Sequence, residues 1–284
     1  MMRHIDGKTL AERIRENVRT RVSKLDSTPG LAILLVGDDP ASRLYVNLKQ
    51  KACEEVGIRF EKYEYDARAT TEELVNKIDE LNRRDDIHGI LVQLPLPSQD
   101  EDAVIEAIDP HKDVDGFHPR NRKLLADGKP CLAPATALGI AKLIDATGEE
   151  LDGLSAVVVG SELFTEPLRI LLADRGIATD RLDPNADLSP ASAYDILISV
   201  VGRPGLIVPP LVKDGAIVID VGTTRTEDGI VGDVSPDVEK EKTGWITPVP
   251  GGVGPMTVAM LLVNVLKAYQ LNHGGLDLTR PLPP

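Results

Sequence analysis

Aromatic side chains are scarce in this sequence. They make up 3% of its 284 residues, with one Trp, three Phe and five Tyr. That excludes a core built on large rings and leaves Leu, Ile, Val and Ala to fill it. Cysteine is nearly absent: Cys53 and Cys131 are the two, without CxxC or metal-ligand spacing, so neither a disulfide framework nor a metal site is expected. No basic run balances the net charge of −13. This argues against a nucleic-acid surface, although an anionic ligand needs only a local basic pocket. No apolar run approaches the ~20 residues of a membrane span. The opening MMRHIDGKTLAERIRENV reads as a charged amphipathic helix rather than a signal peptide. These absences predict a cytoplasmic protein with no membrane or nucleic-acid partner.

Hydrophobic residues at 42% and charged residues at 27% suit a globular chain of one large or two medium α/β domains. Leu10, Ile14, Val18 and Val22 keep a four-residue spacing that predicts a helix over 8–25. LAILLVG (31–37) is apolar throughout and of strand length, as in a parallel strand covered on both faces. RFEKYEYD (59–66) reads as a less buried strand, TTEELVNKIDELNRR (70–84) as a helix opened by a capping box, and GILVQLPLP (89–97) as a third strand. A short helix over 101–108 precedes residues 109–130, rich in Pro, Gly and charge and expected to be the domain junction. Beyond it a helix is expected over 136–147, then strands over 155–160, 177–183, 194–202 and 216–222, with a helix over 166–176. An apolar closing helix follows over 257–272, and a loose tail after Gly274. Strands alternating with helices imply βαβ units and mostly parallel sheets, the second series being of dinucleotide type.

The stretch DDPASRLYVNLKQKACEEVG (38–57) has the punctuation of a complete helix: Asp38 or Asp39 as N-cap, Pro40 in the first turn and Gly57 as left-handed stop. Leu44, Leu48, Ala52 and Val56 are expected to form its buried stripe. Tyr45 and Lys49 share another face, at the edge of the core, where partial desolvation lowers a lysine pKa. Taken alone, this pair reads more readily as a surface lysine beside a half-buried tyrosine. Ligands of open parallel sheets bind beyond the carboxyl ends of the strands. Gln93 lies at such an end, and Asp113 and Asp115 of DVDGFHP lie in the junction loop. Lys49, Gln93 and Asp115 would make a set that moves a proton and fixes a heterocycle. ITPVPGGVGPMT (246–257) carries three prolines, three glycines and no charge, which suits close approach of backbone groups to a ligand.

SRLYVNLKQKACEEVG, GILVQLPLP, DVDGFHP and ITPVPGGVGPMT together resemble, in order and across nearly the whole chain, the signature segments of the methylenetetrahydrofolate dehydrogenase/cyclohydrolase family. The resemblance implies an α/β fold of two domains with a cleft between them. Residues 1–133 would form a parallel-sheet βαβ catalytic domain that binds folate, with the closing helix of 257–284 packed back on it. Residues 134–256 would form a Rossmann-like domain that binds NADP or NAD, NADP being the family's usual cofactor. It also implies that Lys49 is the catalytic lysine, that Tyr45 packs on the folate, and that Gln93 tunes Lys49. Asp115 would hold the pterin's amino edge, and Pro250, Gly251, Gly252 and Val253 would line the folate cleft. The reactions implied are oxidation of 5,10-methylenetetrahydrofolate to the methenyl cation and its hydrolysis to 10-formyltetrahydrofolate. A homodimer is implied too. Lys51 points elsewhere on the helix and is secondary.

The dinucleotide half departs from the family pattern. VVVGSELFTEPL (157–168) keeps Gly160 and Pro167 but lacks the later glycine and is one residue shorter. Gly160, Ser161, Glu162 and Thr223 remain the expected cofactor contacts, Thr223 standing where the family has an apolar residue. Glu162 and Glu166 put carboxylates where phosphates are expected. A like-charge contact at about 6 Å costs roughly 2–3 kcal/mol at an effective dielectric of about 20. Asp180, Arg181 and Asp183 replace the family's His-Ser-x-Thr segment. An acid there favours the free ribose hydroxyl of NAD, and Arg181 the 2′-phosphate of NADP. Ala135 and Ala137 replace the usual Cys and Pro. Two alternatives to the bifunctional enzyme therefore stand beside it: a cyclohydrolase with a degraded dinucleotide site, and a non-catalytic folate-binding protein.

Overall fold

The computed structural model describes residues 1–227 and 229–273. Its strands and helices follow the chain as β1 (Arg3–His4), α1 (Gly7–Val22), β2 (Gly30–Val36), α2 (Pro40–Val56), β3 (Arg59–Tyr65), α3 (Thr71–Asn82), β4 (Gly89–Val92) and α4 (Glu101–Glu106). Next come α5 (Pro119–Ala126), α6 (Ala135–Asp145), β5 (Ser155–Gly160), α7 (Glu162–Ala173), β6 (Ala178–Leu182), β7 (Ile196–Val200) and β8 (Ile217–Asp220). The chain continues through β9 (Thr224–Thr226), β10 (Gly229–Val231), α8 (Pro236–Glu241), β11 (Trp245–Ile246) and α9 (Val253–Asn272). It divides into two units, Glu12–Ala135 with the chain from Val258 onward, and Met1–Ala11 with Thr136–Thr257.

The first unit holds a parallel sheet in the order β3-β2-β4. All seven residues of β2 are buried, as the unbroken apolar run requires. Ala32, Leu34 and Val36 point into one core with Leu74 and Ile78 of α3 and Val104 of α4. Leu31, Ile33 and Leu35, on the opposite face, are equally buried. The capping box of α3 is present, with Glu73 N–H donating to Thr70 Oγ1 at 3.2 Å and Thr70 N–H to Glu73 Oε2 at 2.7 Å. The third strand stops at Val92, not at 97, because the prolines that follow have no N–H for the ladder. Residues 109–130 are not one loop: Pro119 starts α5, which His118 caps through its ring nitrogen.

The second unit is a six-stranded parallel sheet, β1-β11-β8-β7-β5-β6, with β9 and β10 as an antiparallel hairpin after β8. The first eleven residues group with this unit, whereas residues 1–133 were expected to form one domain. Arg3–His4 pairs with Trp245–Ile246, and Met2 and Ile5 are buried; two-residue strands carry no readable period. Helix α7 opens four residues before the expected position and takes Pro167 inside. Order reverses between β5 and β7, since β6 lies on one side of β5 and β7 on the other. Among the described residues no helix is long and apolar enough to cross a membrane. The expected tail after Gly274 lies outside the described residues.

A buried histidine makes the first unit acid-sensitive. His88 Nδ1 accepts the Gly30 N–H at 3.0 Å, Nε2 has no partner among the described residues, and the ring lies 4.7 Å from that of Tyr269. Burial, reinforced by His273, pushes His88 down from 6.5 to about 4. A pKa lowered by folding means stability that is complete above about 6.5 and lost as pH falls through about 4, on the order of 3 kcal/mol in all. Thermal unfolding scanned between these pH values should show that loss. His88→Phe should be weaker at neutral pH yet flatter across the window; an unchanged slope would assign the acid sensitivity to another group.

Candidate active site

Asp39, not Asp38, caps α2: its carboxylate accepts the Ser42 N–H at 2.7 Å, while Asp38 pairs with Arg43. Gly57 closes the helix at φ 81°. The buried face is Ser42, Val46, Lys49, Ala52, Cys53 and Val56, and the expected stripe needs correcting. Leu44 and Leu48 are 38% and 44% exposed. Residues four apart drift about 40° per step around a 3.6-residue helix, so four of them cannot share one narrow face. Alternating steps of four and three from Ser42 do, and that path passes through Lys49. The lysine is therefore inside the core, 7% exposed, with Tyr45 half-buried one turn before it.

Lys49 Nζ donates to Gln93 Oε1 at 2.9 Å. The Gln93 amide is held from its other end by donating to the Leu94 carbonyl at 2.9 Å, so it presents its oxygen to the lysine. Burial lowers the Lys49 pKa, opposed by the negative charge of Asp115 and by Cys53. Burial likewise raises Asp115, opposed by Lys49. Cys53, one turn on, is pushed up to about 12 by burial and stays a neutral thiol. Three of the expected residues thus act on one another: a desolvated amine, an uncharged amide that anchors it and a nearby carboxyl. Among the described residues no donor bonds to the Asp115 side chain. Lys51 is exposed.

The loop that carries Asp115 is rigidly built. Asp113, 2% exposed, accepts the Gly116 and His118 N–H groups at 3.0 and 2.9 Å and Asn121 Nδ2 at 3.0 Å. Gly116 has φ +82°, and a Cβ there would collide with the backbone of Ala133 and Pro134, so only glycine fits. Asn264, fully buried in α9, donates from Nδ2 to the carbonyls of Val114 and Ala133, both at 2.9 Å. It clamps the residue before Asp115 to the strand of chain against which Gly116 rests. Sequence reasoning passed over Asn264, although one amide in the apolar run AMLLVNVLKAY is the signal a buried polar anchor leaves.

The proline-glycine loop lies in the six-stranded unit. Pro250 is exposed and Gly251 half-exposed, whereas Gly252 and Val253 are buried. A Cβ on Gly7 would strike the Gly252 carbonyl, so part of this loop's glycine content serves packing against the start of α1. Val253 begins α9.

The residues at the reversal between β5 and β7 fit a dinucleotide. Gly160 ends β5 and pairs in register with Val200. Ser161 is the N-cap of α7 and makes no side-chain cap bond to the helix; a helix start of this kind suits a pyrophosphate. The feared repulsion from Glu162 does not arise. Its carboxylate takes Arg169 Nη1 at 3.0 Å and Arg181 Nε at 3.2 Å, and Arg181 Nη1 also donates to the Gly160 carbonyl at 3.0 Å. Two guanidinium groups share one carboxylate. Thr223 is exposed. Its neighbour Thr224, which sequence reasoning missed, bonds the Gly202 carbonyl at 3.1 Å. Among the described residues no group of three or more His, Cys, Asp or Glu is placed to hold a metal ion.

The family description "Tetrahydrofolate dehydrogenase/cyclohydrolase, catalytic domain" matches residues 5–115, and "Tetrahydrofolate dehydrogenase/cyclohydrolase, NAD(P)-binding domain" matches residues 134–273. The bifunctional protein FolD 1 of Hydrogenovibrio crunogenus is 48% identical over 273 residues, 93% of this chain and 96% of its own. The FolD crystal structure from Campylobacter jejuni superposes with a TM-score of 0.90 at 42% identity, covering 95% of this chain and 99% of that one. The enzyme of Trypanosoma brucei, solved with NADP and an inhibitor, gives a TM-score of 0.89 at 35% identity over 95% and 98% of the two chains. The chain belongs to the tetrahydrofolate dehydrogenase/cyclohydrolase family.

Proposed function

We infer that the chain oxidises 5,10-methylenetetrahydrofolate to 5,10-methenyltetrahydrofolate with a nicotinamide dinucleotide and hydrolyses the product to 10-formyltetrahydrofolate. The observation that carries this reading is Lys49, buried, lowered in pKa and bonded to one uncharged amide beside Asp115. A bound dinucleotide supplies the hydride acceptor. Gly160, Ser161 and the first turn of α7 would hold its pyrophosphate. Tyr45 supports packing of the folate ring system, and the carboxyl of Asp115 suits the N–H donors of a pterin edge. In hydrolysis, water adds to the methenyl carbon and gives a proton to the neutral Lys49 amine. The ring C–N bond then breaks, its nitrogen ends protonated and the formyl group remains. A cationic methenyl group near the amine disfavours an ammonium and keeps Lys49 in its basic form.

NADP is the preferred dinucleotide in this reading. Arg181 lies near the end of β6, paired with Arg169 on the carboxylate of Glu162, and the end of that strand is the position that reads the ribose 2′-substituent in sheets of this type.

Three measurements test the assignment. Lys49→Met should abolish decay of methenyltetrahydrofolate absorbance above the buffer rate while circular dichroism and unfolding stay close to wild type. Near wild-type hydrolysis would remove the lysine from its role. Gln93→Glu places a carboxylate against Lys49, raises its pKa and should shift the rising limb of the rate profile to higher pH by about one unit or more; an unshifted profile would mean that Gln93 does not tune the amine. Arg181→Ala should weaken both dinucleotides by calorimetric titration, NADP about tenfold more than NAD, a difference on the order of 1.4 kcal/mol. Equal losses would count against a 2′-phosphate contact.

A further inference from the structure

The carboxyl edge of the six-stranded sheet hides two carboxylates that bind no ligand in the reading above. Asp233 is fully buried, and Asp220, the last residue of β8, is 4% exposed. Asp233 accepts Ser199 Oγ at 2.8 Å, the Val201 N–H at 2.9 Å and the Arg203 N–H at 2.7 Å. Asp220 accepts the Gly222 and Asp233 N–H groups at 3.0 and 2.9 Å on one oxygen and the Val234 N–H at 2.9 Å on the other. All six donors are neutral. Burial pushes Asp220 up to about 6, with Asp233 adding to the rise.

Two anions buried without a cation weaken a fold unless their hydrogen bonds are complete. The backbone is shaped to complete them. A Cβ on Gly232 would collide with the Asp220 carboxylate, and one on Gly222 with that of Asp233. The donors belong to three separate segments: 199–203 at the end of β7, 222 after β8, and 233–234 after the hairpin. Thr224 adds a fourth tie, to the Gly202 carbonyl. The first segment starts beside Gly160, because Val200 is its register partner. These are the turns at the carboxyl ends of the strands next to the order reversal, where a dinucleotide lies.

We propose that Asp233, supported by Asp220, is a positioning residue of the dinucleotide site, holding the backbone of residues 201–203 and 222 in the shape that receives the nicotinamide half. The proposal rests on the reading of this unit as the dinucleotide half, and it is specific about which function it serves. Lys49 lies in the other unit, and its hydrolytic step uses none of these turns.

The test compares wild type with Asp233→Asn. The amide keeps the burial but turns one acceptor into a donor facing N–H or O–H groups. Calorimetric titration with NADP and with NAD should show at least tenfold weaker binding, with methenyltetrahydrofolate hydrolysis within twofold of wild type and KM for the dinucleotide raised more than kcat is lowered. Unchanged affinity overturns the proposal. So does a parallel fall of binding and hydrolysis, which is what a merely structural residue produces. If Asp233→Asn does not fold, Ser199→Ala decides: it removes one donor and should weaken binding about threefold at unchanged hydrolysis, and an unaltered Kd overturns the proposal. A wild-type protein that binds neither dinucleotide is a different failure, one of the dinucleotide reading itself.

Discussion

The desolvation of Lys49 is the constraint on which the rest of the first unit depends. An ammonium in a core is unfavourable, and the fold accepts that cost only if everything around the amine is fixed in place. Helix α2 must enter with a set phase, which Asp39 and Gly57 give it at its two ends. β4 must end where Gln93 can turn its amide oxygen to the lysine. The junction loop must hold a carboxylate nearby without letting it become a close counterion, which is the work of Asp113, Gly116 and Asn264. These supports are hydrogen bonds and close approaches, and the two carboxylates among them, Asp39 and Asp113, are taken up by backbone N–H groups.

The six-stranded unit solves the opposite problem. It must receive polyanionic phosphates in a chain with a net charge of −13. Locally it does so by occupying its acidic groups: Glu162 is spent on Arg169 and Arg181, and Asp220 and Asp233 on neutral donors of the surrounding turns. A carboxylate near an anion site repels only to the extent that its charge is left uncompensated.

The βαβ order, the parallel sheets and the caps of α2 and α3 were legible because they rest on local rules of apolar run length and cap residues, whereas Lys49, Gln93 and Asp115 were singled out chiefly by resemblance to a family. What was not legible depends on pairing between distant segments. Arg3–His4 is a strand only because Trp245–Ile246 lies beside it. Glu162 looked like a barrier to phosphate until Arg181, nineteen residues away by number, proved to hold it. The Leu44–Leu48 stripe failed for a different reason. Leucines four apart draw the eye, but the phase of a helix is set by what the neighbouring strands bury, and here that is Val46, Cys53 and a lysine.

A second buried lysine shows why Lys49 and not any desolvated amine is the candidate base. Lys112 is 7% exposed, as is Lys49, and burial lowers its pKa as well. Its ammonium, however, donates to three carbonyls, those of Leu81, Asn82 and Arg84, at 3.2, 2.8 and 2.7 Å. Three acceptors use all three N–H groups of the charged form, and losing the proton would leave one carbonyl at the end of α3 without its donor. Lys112 is therefore held as a cation and closes a helix. Lys49 has one such bond among the described residues, to an amide that a neutral amine can satisfy equally well. Burial alone makes a lysine unusual; it is the number of acceptors left unpaired on deprotonation that decides whether the proton can leave.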